Sequence, residues 1–210
     1  MATLVKICGI STPETLAAAV AAGASHVGFV HFAKSPRHLA LADAAALRRQ
    51  LPAHAKAVLL LVNPDTALLA EAVRTIAPDV IQFHGSETPG ALARFRAETG
   101  IEAWRAMAVK DAASLADVAA FRGAADRVLL DAPASALPGG NGTAFDWNLL
   151  AGWQAPVAWG LAGGLTPANV AEAIRLTGAP LVDTSSGVER SPGIKDVDKI
   201  TAFCKAARNI

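Results

Sequence analysis

Lys6 and Cys8 are two apart in an apolar run near the start of the sequence, so an extended strand would put both on one face. A neighbouring ammonium favours thiolate over thiol, and the thiolate is the form that acts as base or nucleophile. Asp131 ends another apolar run and shares a face with Leu129. Desolvation there would raise its pKa, and a carboxyl that keeps its proton near neutrality can donate it. Further runs end in Arg37, in His84 of QFHG, in Asp183, and in two turns of small residues, Gly163-Gly164 and Ser185-Ser186-Gly187. A guanidinium fork suits a carboxylate, and free backbone amides suit a phosphate.

By type alone each group also has a plainer use. A cysteine in an apolar strand is ordinarily a small buried hydrophobe, which is the role expected of Cys204 in the last helix. Asp131 could cap a turn, Arg37 could be a solvated surface residue, and glycines make tight turns. His84 serves as well packed in a core as lining a pocket. Lys6 and Asp183 are as consistent with a structural ion pair as with tuning a site.

The elements that must position these groups recur through the chain. Apolar runs of strand length begin near Leu4, His26, Ala57, Asp79, Ala103, Arg127, Val157 and Pro180. Stretches of helical spacing separate them, among them 13–22, 42–51, 65–76 and 167–176, with a weaker one at 145–152. Thr12-Pro13, Asn63-Pro64 and Thr166-Pro167 look like helix starts, and Gly23, Gly100 and Gly178 like helix ends. Eight alternating units predict a parallel α/β sheet, and their number favours a closed (β/α)8 TIM barrel, one domain over 1–210, above an open doubly wound sheet. In such a barrel the site lies at the carboxyl ends of the strands, where the reactive residues gather.

Composition narrows the class. Of 210 residues, 52% are hydrophobic and 18% charged, which fits a compact α/β protein and not a disordered one. The formal net charge is +1 with no basic cluster, so no nucleic-acid partner is expected. Two cysteines make no disulfide framework, and with no secretory signal or membrane-length apolar run, a cytoplasmic location is expected. The five histidines include no HExxH and no close pair, so no metal site is expected.

Seven stretches in register resemble the phosphoribosylanthranilate isomerase family of tryptophan biosynthesis over nearly the whole chain. They are KICGI (6–10), GFVHFAKSPR (28–37), QFHG (82–85), LLDAPASALPGGNGTAFDW (129–147), GGL (163–165), DTSSGVE (183–189) and PGIKD (192–196). The resemblance implies a cofactor-free Amadori rearrangement of N-(5'-phosphoribosyl)anthranilate to its 1-deoxyribulose isomer. It implies Cys8 as general base and Asp131 as general acid. It places Arg37 on the anthranilate carboxylate. Gly163-Gly164 and Ser185-Ser186-Gly187, in the loops after strands 7 and 8, are expected to seat the phosphate, with Asp183 also on the substrate and Lys6 and His84 as pocket groups. Pro138 to Gly142 is expected to form a mobile lid.

His31 departs from the aromatic hydrocarbon usual in relatives; Phe83 for Leu and Thr184 for Val are milder departures. The partner implied is a small phosphorylated molecule, with no nucleic acid or membrane and with the chain a monomer or homodimer. Two alternatives stay open: a phosphosugar-binding barrel without catalysis, and the aldose–ketose isomerase of histidine biosynthesis. Cys8 in KICG weighs against the latter, because the related isomerase uses an aspartate at that position. Indole-glycerol-phosphate synthase and the tryptophan synthase α subunit share the phosphate seat and are set aside by the same motif.

Overall fold

Strands buried on both faces cannot alternate polar with apolar, and so they read as the continuous apolar runs seen in the sequence. A computed structural model describes residues 3–133 and 145–209. Its strands are β1 (Leu4–Cys8), β2 (His26–Val30), β3 (Lys56–Leu61), β4 (Val80–Phe83), β5 (Glu102–Ala108), β6 (Arg127–Asp131), β7 (Trp159–Leu161) and β8 (Leu181–Thr184). All pair in parallel, in sequence order, and β1 closes on β8 with Lys6 beside Asp183. The expected (β/α)8 barrel is what forms.

Helices cover the outside: α1 (Pro13–Ala21), α2 (Leu41–Arg48), α3 (Thr66–Ile76), α4 (Pro89–Thr99), α5 (Ala112–Ala116), α6 (Val170–Thr177) and α7 (Val197–Arg208). A 3-10 turn over Asp117–Phe121 extends α5, and another over Trp147–Leu150 stands where the sixth unit looks weak in sequence. After β8 come a 3-10 turn, Ser186–Val188, and a small hairpin of β9 (Glu189–Ser191) and β10 (Ile194–Lys195).

Period two sorts each strand's residues. Val5, Ile7, Val27, Phe29, Leu59, Leu61, Ile81, Val128 and Leu130 face the helices in the main core. Val58, Val80, Trp104, Ala106, Leu129 and Leu181 fill the barrel interior. Cys8, Val30 and Leu60, with Phe32 and Val62, form a separate apolar cluster. Cys204 is fully buried in the outer core, as expected of a packing residue.

Two of the three expected helix starts move. Thr12 caps α1, accepting from Thr15 N at 3.2 Å. The cap of α3 is Asp65, not Asn63: Asn63 has φ 48° and uses its Oδ1 to accept from Ser86 N at 2.7 Å. Helix α6 begins at Val170, because Pro167 opens a turn in which Asn169 Oδ1 accepts from Thr166 N at 2.8 Å. Both signals are real turn signals, with the helix delayed behind them. Gly23, Gly100 and Gly178 all have positive φ at helix ends.

Candidate active site

The carboxyl ends of the strands surround a cavity of about 620 Å³, open mouth included. Of the sequence-predicted residues, Cys8, Arg37, His84, Asp131, Gly163, Gly164, Asp183, Ser185 and Ser186 line it. Lys6 and Gly187 stand behind the wall. Lys6 is fully buried and donates to Asp183 Oδ2 at 2.8 Å. Burial opposes its charge, but Asp183 and the Cys8 thiol outweigh that and hold its pKa above the ordinary lysine value. Lys6→Met strands Asp183 in the interior, so a loss of about 3–5 kcal/mol in stability is expected in denaturant unfolding.

Asp131 ends β6 with its carboxyl buried, and Oδ1 accepts from Ala132 N at 2.8 Å. Burial, with Asp183 of like charge nearby, raises its pKa to about 7 against the pull of the Ala132 amide and Lys6. This is the direction a proton donor needs. His84 Nε2 lies 3.6 Å from Asp131 Oδ2. Burial, Lys6 and Arg105 lower the imidazole to about 4, so it is neutral at pH 7. Its Nδ1 is 3.4 Å from Gln82 Nε2, while Gln82 Oε1 is buried without a partner among the described residues. Sequence reasoning passed over Gln82, although period two puts it on the inward face with His84.

Cys8 is 5% exposed against Val30 and Leu60. Here the sequence expectation needs correcting. Burial is the larger effect and pushes the thiol above its ordinary value, although Lys6 pulls the other way. Lys6 favours the thiolate less than its proximity suggests, because Asp183 meets its charge.

Arg37 does not present a free fork. Its Nε and Nη2 donate to Glu189 Oε1 and Oε2 at 2.7 and 2.8 Å. Glu189 also accepts from Lys195 Nζ at 2.7 Å and Gly193 N at 3.2 Å, so one buried carboxylate ties Arg37 to the hairpin. Glu189 and Lys195 were missed as site residues. Their signal was present in GVE and PGIKD, but nothing local tells that two hairpin residues fold back onto β1.

The loops after β7 and β8 meet beside β1, where Ser185 Oγ donates to Cys8 O at 3.1 Å. Among the described residues, the amides of Gly163, Gly164 and Ser185 donate to no backbone oxygen. Gly163 has φ 79°, and a Cβ there would lie 2.4 Å from Ala132 N and 2.9 Å from Asp131 Oδ1. Gly187 brings the two loops together, since its Cβ would fall 1.9 Å from Leu165 O. These are close approaches that only glycine permits. Thr184 uses its hydroxyl there too, donating to Leu165 O at 2.7 Å.

His31 is tied by Nδ1 to Leu39 O at 2.9 Å and packs on His38; Phe83 faces outward against Phe95. The expected lid, Pro138 to Gly142, lies outside the described residues. Among the described residues, no group of three or more His, Cys, Asp or Glu could hold a metal ion. No helix among them is long and apolar enough to cross a membrane.

The family model for N-(5'phosphoribosyl)anthranilate (PRA) isomerase matches residues 5–206. A relative from Erythrobacter litoralis, named N-(5'-phosphoribosyl)anthranilate isomerase, is 59% identical over 207 residues, covering 99% of each chain. The crystal structure of phosphoribosyl anthranilate isomerase from Thermotoga maritima superposes with a TM-score of 0.91 at 32% identity, covering 99% of this chain and 100% of that one. A further crystal structure of such an isomerase, at TM-score 0.88 and 31% identity over 99% of this chain and 100% of that one, holds reduced 1-(o-carboxyphenylamino)-1-deoxyribulose 5-phosphate. None of these favours the non-catalytic barrel or the histidine-pathway isomerase. Barrel, cavity and sequence matches agree, and this chain belongs to the N-(5'-phosphoribosyl)anthranilate isomerase family.

Proposed function

We propose that this chain, as one catalytic barrel domain over 1–210, converts N-(5'-phosphoribosyl)anthranilate to 1-(2-carboxyphenylamino)-1-deoxyribulose 5-phosphate, with Asp131 as general acid and Cys8 as general base. The observation that carries the assignment of roles is a carboxyl held at about 7 that shares one cavity wall system with a thiol on β1. Asp131 gives its proton to the ribose ring oxygen as the C1'–O4' bond breaks, and the anilino nitrogen lone pair forms the iminium. Cys8, as thiolate, then takes the C2' proton, and the enolamine relaxes to the ketone. One proton is delivered and one removed, so the reaction balances as an isomerisation.

The amides of Gly163, Gly164 and Ser185, with the Ser186 hydroxyl, are the proposed phosphate seat, because barrels commonly hold phosphate between the loops after strands 7 and 8. Arg37 meets the anthranilate carboxylate through Nη1, its fork otherwise held by Glu189. Asp183 Oδ1, buried and without a partner among the described residues, would accept from a sugar hydroxyl. A cytoplasmic site of action is proposed, in keeping with two free buried cysteines.

The direct test is turnover of freshly generated phosphoribosylanthranilate, followed by the loss of its fluorescence. A protein that binds the product analogue yet turns nothing over would refute the proposal. Gly163→Ala is expected to lower kcat/KM by about tenfold or more, since its Cβ would press on Ala132 and Asp131 and strain a positive φ in the loop of the proposed phosphate seat. Weaker competitive inhibition by inorganic phosphate in that variant would locate the seat.

A further inference from the structure

Two ammonium groups lie near the Cys8 thiol, and they are not equally neutralised. Lys6 is matched by Asp183 at 2.8 Å, so that pair is neutral as a unit. Lys195, from β10, donates to Ser185 O at 2.9 Å and to Ser185 Oγ at 3.2 Å, and Ser185 Oγ donates to Cys8 O at 3.1 Å. Its ammonium also stands 3.2 Å from where a Cβ on Gly9, the residue after Cys8, would sit. The counter-ion of Lys195 is Glu189, which is shared with Arg37. Two cations share one anion, and the cluster keeps one surplus positive charge in a setting where water screens little.

We propose that Lys195 is a positioning residue for the isomerisation: with Arg37 it supplies the unbalanced positive field that stabilises the Cys8 thiolate, and Glu189 sets the strength of that field. The proposal rests on Cys8 being the base, but it is read from the thiol itself and needs no turnover. The charges that act on the thiol are Lys6 on β1, Asp183 on β8 and Lys195 on β10. Arg37, His84 and Asp131 line the same cavity, and Glu189 is the counter-ion that Arg37 and Lys195 share. His84 is neutral at pH 7 and Lys6 is offset, which leaves the hairpin cluster as the source of surplus charge. Asp131 contributes the same way in every variant compared below. The bond from Lys195 to Ser185 also fixes the loop that carries the proposed phosphate seat, so the hairpin acts on both ends of the substrate.

The experiment is titration of the Cys8 thiolate by its ultraviolet absorbance in a Cys204→Ala background, with the iodoacetamide alkylation rate measured across the same pH range. The chain has no tyrosine, so no phenolate obscures the signal. Lys195→Met is expected to move the titration to higher pH, leaving about tenfold less thiolate at a given pH below the midpoint. Lys195→Arg should recover most of that loss. Glu189→Gln should move the titration the opposite way, because the field loses its negative member while Arg37 stays charged.

A hairpin that merely braces the loop would leave both titrations in place or move them in the same direction, and either result overturns the proposal. If Lys195→Met fails to fold, Glu189→Gln decides alone: an unmoved or upward titration refutes it. A wrong assignment of Cys8 as base would show in the activity of Cys8→Ser and not in these titrations, so the two failures are distinguishable.

Discussion

Asp131→Asn is expected to lower kcat by about 10²- to 10⁴-fold, the usual range for a general acid, with substrate affinity little changed. The amide keeps the shape and can still accept from the Ala132 amide, but it has no proton of the right acidity to give to the ring oxygen. The pH dependence separates this loss from a structural one. With the carboxyl at about 7 and the thiol higher, the productive form, Asp131 protonated and Cys8 ionised, is one of two arrangements of a single shared proton. It is the minor one, and it follows the singly protonated population. The kcat/KM profile of the wild type should therefore rise through about 7 and fall again above the thiol pKa. In Asp131→Asn the limb near 7 should vanish, and residual activity should climb only as the thiol ionises. A variant profile that keeps its limb near 7 would remove Asp131 from the mechanism.

Stability should respond with the opposite sign. Asp131 has a folded pKa raised from 3.8 to about 7. The stabilising contribution of the protonated form is therefore complete below the unfolded value and is lost as pH rises through about 7. Asn cannot ionise, so the variant should match the wild type in acid and exceed it in denaturant unfolding at about pH 8. A residue that costs stability where it is ionised, yet is required for turnover, is what a buried catalytic acid looks like.

Cys8→Ser is expected to lose about 10²- to 10⁴-fold in kcat, because the serine hydroxyl does not ionise in this range and cannot take the C2' proton. The volume change is small, and melting should shift little, although a hydroxyl among Val30 and Leu60 fits less well than a thiol. Cys8→Ala removes the hydroxyl and should be as inactive as Cys8→Ser. If either variant keeps more than about a tenth of wild-type kcat, another group removes the proton and Cys8 is a packing residue. The raised thiol pKa makes the prediction sharper. Any partner that stabilises the thiolate adds directly to the small productive population.

Much of this was legible in one dimension. The eight apolar runs and their spacing predict the barrel because a strand covered on both faces has to be apolar throughout. Period two puts Lys6 with Cys8, and Asp131 with Leu129, on shared faces before any coordinates are considered. Thr12 is readable as a cap because capping is an interaction across three residues. Asn63 and Thr166 mislead for the complementary reason. Their side chains and amides find partners 23 residues away or one turn late, and propensity does not report that.

By itself, then, the sequence determined the architecture, the family resemblance and most of the candidate site residues, because each depends on local spacing and residue type. The tertiary structure alone decided how those residues behave. The thiol is raised because burial outweighs a lysine already paired with Asp183. Arg37 is half-occupied because Glu189 arrives from 152 residues away, and Lys195 reaches the active strand only because a hairpin after β8 folds back over it. Charge balance and burial are sums over neighbours brought together by closure of the barrel, and no stretch of chain contains them.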